Sequence, residues 1–172
     1  MRLLFIVFIS LAFSGCVHAP ATTLSFSSEF KLIFPSTFLA GGTIFSIEEL
    51  SVKSSEGELV SGGVLSVESE GLPAEFNITE YPIYLLGLKE PGEKYSQFFK
   101  DSTAEVDYTY GISSLEVERS SSLTIYSLCK EISCLAYSVK KGFSEHILML
   151  HSRGLSREKL VNLIKGDRNA KY

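Results

Sequence analysis

Two cysteines five positions apart, one closing a strand-like run and one opening another, constrain this chain more than any other feature. Residues 123–129 and 134–140 are rich in β-branched and aromatic side chains, and Lys130-Glu131-Ile132-Ser133 joins them. Runs of this composition around a short polar connection read as a hairpin. Setting Cys129 opposite Cys134 brings Leu128 to Leu135, Tyr126 to Tyr137 and Thr124 to Val139 on one face. The other face then holds Ile125, Ser127, Ala136, Ser138 and the two cysteines. Side chains alternate across a strand, so a slip of one residue would exchange these sets.

Further strands are expected over residues 25–34, 43–52, 58–68, 74–79, 105–110, 114–119 and 145–151, where apolar residues alternate or β-branched and aromatic ones cluster. Ser54-Ser55-Glu56-Gly57, Glu70-Gly71-Leu72-Pro73, Glu90-Pro91-Gly92 and Lys140-Lys141-Gly142 punctuate them. Gly62-Gly63 predicts a bulge or break. Leu115-Glu116-Val117-Glu118 predicts a strand with one solvated face.

Two helices are expected, over 93–101 and 156–165. The second has Ser156 as N-cap, Glu158 in the first turn and Gly166 as terminator. Leu155 and Leu160 form a staple pair, and Leu160, Val161, Leu163 and Ile164 make one apolar stripe. Strands followed by a final helix predict an α+β fold: a mainly antiparallel β-sheet with a C-terminal helix packed on it.

The 172 residues suffice for one domain of ordinary size, and a hydrophobic fraction of 45% supports a real core. Sixteen basic against 20 acidic residues give a net charge of -4, which excludes the basic footprint of a nucleic-acid binder.

Residues 3–13 are apolar except for Ser10 and follow a single charge, Arg2. Eleven residues are too few for a bilayer-spanning helix, which needs about 20, and fit a secretory signal. The run closes on Phe13-Ser14-Gly15-Cys16. This resembles the lipobox of bacterial lipoproteins: an apolar residue, two small residues, then the cysteine that is acylated. The resemblance implies cleavage before Cys16 by signal peptidase II and lipidation of Cys16. It covers residues 1–16, and Phe13 stands where the family usually has Leu. The rival is ordinary secretion, with cleavage after Ala19 or Ala21. The expected organisation is a signal peptide over 1–15, a lipid-anchored tether over 16–28 and a single β-rich extracytoplasmic domain over 29–172. Loss of residues 1–15 removes one positive charge, Arg2, from the -4 chain and leaves -5. Val17 rather than Asp follows the cysteine, which in an organism with two membranes implies the outer one.

Export places Cys129 and Cys134 in an oxidising compartment, where such a pair is expected to form a disulfide. A redox or metal role fits less well, because the spacing is not C-x-x-C and no second ligand pair is near. Phe30-Lys31-Leu32-Ile33-Phe34-Pro35 and the closing strand and helix, from Ile147 to Ile164, resemble the ends of Mog1/PsbP-like domains. The resemblance lies in a pattern of aromatic, proline and final helix. It implies an antiparallel sheet flanked by helices and a binding role.

No motif for catalysis or a cofactor is found. His18 lies in the tether. His146 and His151 flank a strand at odd spacing, which puts them on opposite faces and prevents joint metal binding. Glu48 and Glu49 are adjacent, so they too diverge; Glu116 and Glu118 mark a wet face; Ser120-Ser121-Ser122 reads as a turn. No G-x-S-x-G, H-E-x-x-H, phosphate loop or metal set occurs. The expected partners are the membrane, through the lipid, and an envelope protein, with no nucleic acid. The expected function is a non-enzymatic binding module, with a periplasmic inhibitor or immunity protein against a toxic hydrolase as the alternative.

Overall fold

A computed structural model describes residues 21–46 and 49–166. Nine strands and four helices occur among them. Strands β1 (Ala21–Ser25) and β2 (Lys31–Pro35) form a two-stranded antiparallel hairpin, followed by the single turn of α1 (Ser36–Leu39). The main sheet contains β3 (Thr43–Ser46), β4 (Leu50–Lys53), β5 (Leu59–Ser66), β6 (Glu116–Arg119), β7 (Leu123–Lys130), β8 (Ser133–Lys140) and β9 (His146–Arg153). Its order is β3-β4-β5-β9-β8-β7-β6, and every pair is antiparallel. Helices α2 (Tyr81–Leu85) and α3 (Glu93–Tyr110) lie between β5 and β6, and α4 (Arg157–Lys165) closes the fold. The architecture is α+β, with a C-terminal helix on a mainly antiparallel sheet.

The β7–β8 register is the expected one: Cys129 faces Cys134, Leu128 faces Leu135 and Tyr126 faces Tyr137. Both of its faces are buried. Ile125, Cys134 and Ala136 point into a core closed by β2, α1 and α4. Tyr126, Leu128, Leu135 and Tyr137 point into a second core, with α2 and α3. The sheet is therefore the middle layer of three.

Helix α4 forms as its sequence dictates. The Ser156 hydroxyl accepts the Lys159 backbone N–H at 3.3 Å, and Gly166 ends the helix at φ 67°. Leu155, Leu160, Val161, Leu163 and Ile164 are buried.

Five expectations are corrected. Residues 25–34 are not one strand: Ser25 ends β1, residues 26–30 turn, and β2 begins at Lys31. Residues 105–110 are the last turns of α3, not a strand. A strand would put Val106, Tyr108 and Tyr110 on one face, whereas a helix groups Val106 with Tyr110 and turns Tyr108 away. Val106 and Tyr110 pack against the second core while Tyr108 is 83% exposed. Residues 74–79 form a turn leading into a short 3-10 helix (Ile78–Glu80), because the Asn77 side chain caps the Thr79 N–H at 3.2 Å. The run 43–52 is two strands, β3 and β4, with Glu48 outside the described residues and Glu49 leading into β4. Gly62 and Gly63 interrupt nothing: β5 runs straight through them, paired with Leu150 and Met149. Gly62 is needed for close approach, since a Cβ there would lie 2.1 Å from the Met149 carbonyl oxygen.

The expected tether also enters the fold earlier. From Ala21 the chain is strand β1, and Leu24 and Phe26 pack against the first core. The two sheet edges differ. Edge strand β6 is charged, and Glu116 and Glu118, expected to face solvent, pair with Arg157 and Lys165 of α4. Edge strand β3 is Thr-Ile-Phe-Ser, without charge.

Candidate functional site

Cys129 and Cys134 are disulfide-bonded across β7 and β8, with an S–S distance of 2.06 Å and a Cα–Cα distance of 4.1 Å. Cys16 and His18, singled out from the sequence, lie outside the described residues. The two remaining histidines stand on β9, on opposite faces as their spacing requires.

His146 begins β9 and meets the turn between β1 and β2. Its Nε2 donates to Glu29 Oε2 at 2.9 Å and lies 3.3 Å from Ser27 Oγ. Phe30 packs edge-on against the ring. A serine, a histidine and a carboxylate together invite comparison with a nucleophilic relay. In a relay the serine and the carboxylate occupy opposite ring nitrogens. Here both meet Nε2. The Ser27 hydroxyl is further engaged: it donates to Glu29 Oε2 at 3.0 Å and accepts the N–H groups of Glu29 and Phe30 at 3.1 Å. The cluster locks a turn to the sheet. Hydrogen bonds, foremost from the Ser28 hydroxyl and then from Ser27, the Glu29 backbone and His146, bring the Glu29 carboxyl down to about 2.

His151 faces the second core. Tyr110 Oη donates to its Nδ1 at 2.6 Å, tying the end of α3 to the sheet. Burial pushes the His151 pKa down, against an opposing pull from Glu49. The neutral ring is the form that accepts the tyrosine proton. Beside it is a cavity of about 150 Å³ whose polar lining includes Ser61, Thr109, Ser133 and Arg153. A larger cavity, of about 300 Å³, lies between α2 and α3 over Tyr84 and Phe99, with Lys89 and Lys100 at its edge. Its Thr103 hydroxyl donates to the Leu85 carbonyl at 2.9 Å. Ser61 and Ser133 share the smaller cavity with His151, but among the described residues the ring is hydrogen-bonded to Tyr110 and to neither serine.

Another buried polar contact stands in the second core, where Tyr81 Oη donates to Glu70 Oε2 at 2.8 Å. Burial pushes the hydroxyls of Tyr81 and Tyr137 far up, so both stay protonated. Sequence reading missed the Glu29–His146, Tyr110–His151 and Glu70–Tyr81 pairs. Their partners are 117, 41 and 11 residues apart, and no local pattern announces them. Among the described residues no group of three His, Cys, Asp or Glu side chains is placed to hold a metal, and no helix is long and apolar enough to cross a membrane.

No protein-family model matches the chain, and no curated protein or solved structure matches it either.

Proposed function

We propose that the chain is an envelope lipoprotein, held to a membrane by acyl chains on Cys16, whose folded part is a binding module for another envelope component. The observation that carries this reading is the apolar run of residues 3–13 closing on Phe13-Ser14-Gly15-Cys16. Two structural facts support it. The chain has three cysteines, and the bond between Cys129 and Cys134 leaves Cys16 as the remaining one. Strand β1 opens at Ala21, so only residues 17–20 separate the fold from Cys16. Five Cα-to-Cα steps span at most about 18 Å, which keeps the domain beside the bilayer. Two or three acyl chains of a lipoprotein hold durably where one does not.

A binding role rather than catalysis is supported by the use the fold makes of its histidines. His146 and His151 each join two elements and have the contacting nitrogen taken up by a neighbour. In an organism with two membranes, the periplasmic face of the outer one is the proposed location.

Mass spectrometry of the chain recovered from membranes tests the anchor. The expected first residue is Cys16, carrying acyl mass; a start at Thr22 without lipid would overturn the anchor. Capture of partners from solubilised membranes, run beside Cys16→Ala, tests the binding role. A reproducible envelope partner is expected, and repeated empty captures would sink the binding module.

A further inference from the structure

The strand registers define two ends of the sheet. Thr43 faces Lys53, Lys53 faces Leu59, Leu59 faces Arg153, Arg153 faces Ser133, and Ser133 faces Lys130. This row forms one end, finished by the turns at residues 54–57 and 131–132. The β1–β2 hairpin lies across the first core with its turn at the other end. There Glu29 meets His146, and its carbonyl accepts from Lys140 Nζ. The open end of the hairpin, where Ala21 faces Pro35, is therefore at the end that holds Thr43 and Ser133. Thr37 and Phe38, just beyond Pro35, share a cavity there with Ser54, Glu58 and Lys159. The chain enters the fold at this end.

The two most exposed large apolar side chains among the described residues stand at this end: Tyr108 is 83% exposed and Ile132 55%, ahead of Leu88 before α3 at 49% and Phe143 at the far end at 38%. Ile132 stands at the tip of the β7–β8 hairpin, and the disulfide ties the strands just behind it. Its neighbour Glu131 has φ 55°, a left-handed conformation that is strained for a non-glycine residue. The Ile132 carbonyl accepts the Gly154 N–H at 2.7 Å. Lys130 Nζ donates to the Tyr108 carbonyl at 2.7 Å and sits 5.5 Å from the centre of its ring. A disulfide, a strained turn and a bridging lysine thus hold two apolar side chains outward in fixed positions.

We propose that this end rests on the lipid bilayer, with Ile132 and Tyr108 seated in the headgroup layer. The inference rests on the reading of Cys16 as the lipid anchor. A leash of four residues ending at this face cannot hold it more than about 18 Å from the membrane. An exposed isoleucine, a tyrosine with a polar tip, and Lys130, Lys53 and Arg153 around them match the chemistry of a membrane–water interface. Glu56 and Glu131 at the same end keep it out of the hydrocarbon and make anionic lipid unnecessary.

The chain contains no tryptophan, so one introduced indole reports alone. Ile132→Trp and Tyr108→Trp place it on the proposed face, and Phe143→Trp places it at the far end. Chain beginning at Cys16 is purified with its disulfide intact. It is then coupled through that cysteine to a maleimide lipid in phosphatidylcholine vesicles. This supplies the anchor chemically, whether or not cells acylate Cys16. Seating in the headgroup layer should blue-shift the emission at 132 and at 108, and bromination of the lipid tails should then remove about half of it, while the indole at 143 keeps its solvent spectrum. Emission at 132 and 108 as unaffected as at 143 would overturn the proposal and leave the patch to a protein partner. Equal quenching at all three positions would overturn it too, because the domain would then have no fixed orientation. Mass spectrometry of the cellular protein separately reports on the anchor, so the two failures are distinguishable.

Discussion

The two faces of the seven-stranded sheet are closed by different means. Over the first, α4 and the β1–β2 hairpin supply an interlocking aliphatic and phenylalanine layer. Four of the nine residues of α4 are buried there. Over the second, α3 is twice as long, at 18 residues, yet fully buries only Phe99. That ring sits 5.1 to 5.9 Å from those of Phe76, Tyr81, Tyr84 and Phe98, mostly tilted or edge-on. The second core also takes in tyrosine hydroxyls, which must be hydrogen-bonded or remain costly. A stripe of interchangeable aliphatic residues tolerates the loss of one member; a layer centred on one ring does not.

The sharpest way to break this comparison is to remove the centre. Phe99→Ala should cost about 3–5 kcal/mol in urea unfolding and loosen α3, which has no other fully buried side chain. Leu163→Ala, equally buried in α4, should cost less, towards about 2 kcal/mol, because Leu160, Val161 and Ile164 remain. A larger loss for Leu163→Ala than for Phe99→Ala would show that the faces do not differ in this way.

The comparison also explains what was legible in the sequence. The face under α4 could be read in advance: Ser156, the Leu155–Leu160 staple, the apolar stripe and Gly166 are all local signals. The face under α3 was not. Val106, Tyr108 and Tyr110 alternate like a strand, and only tertiary packing decides that Tyr108 points away. The β7–β8 register was legible because two cysteines and a two-sided apolar pattern agree on one pairing. The partners of His146 and His151 were not, because they are brought by elements far away in the chain.

The hairpin that serves both faces gives the next largest effect. Replacing Cys129 and Cys134 together by alanine should cost about 2 kcal/mol, the modest value set by so short a loop. The register should survive, since Tyr126–Tyr137 and Leu128–Leu135 pack on the second face regardless. Amide exchange across β7 and β8 would reveal a slip, and a slip would mean that the disulfide, not the second core, sets the pairing.

The first face carries its own flaw. The hydroxyls of Ser138 and Ser152 are buried without a hydrogen-bond partner among the described residues. Ser138 lines a cavity of about 160 Å³ between β2, α4 and the sheet. Removing an orphaned hydroxyl relieves its desolvation, so Ser138→Ala should stabilise by about 1 kcal/mol. A loss of stability would mean that the hydroxyl is bonded in solution, and that the first face holds a satisfied polar contact beneath α4.

The smallest effect separates the faces by pH. His151 is held neutral by burial and accepts from Tyr110, so its folded pKa lies below the unfolded value of 6.5. As pH falls through 6.5 the unfolded chain takes up a proton that the folded chain refuses. Stability contributed by His151 is therefore present above that pH and declines below it. Glu29 acts in a separate window, with its stabilisation lost only as pH falls from 4.5 towards about 2. Urea midpoints measured from pH 8 to pH 5 should fall more steeply for the wild-type chain than for His151→Gln. Tyr110→Phe, which leaves Nδ1 without its donor, should lower stability by about 1 kcal/mol at pH 8, where the bond is intact. Parallel slopes for the wild-type and His151→Gln chains would mean that His151 is as free to protonate in the folded chain as in the unfolded one. The second face would then be open to water at the end of α3, contrary to the packing of Tyr110 against β9.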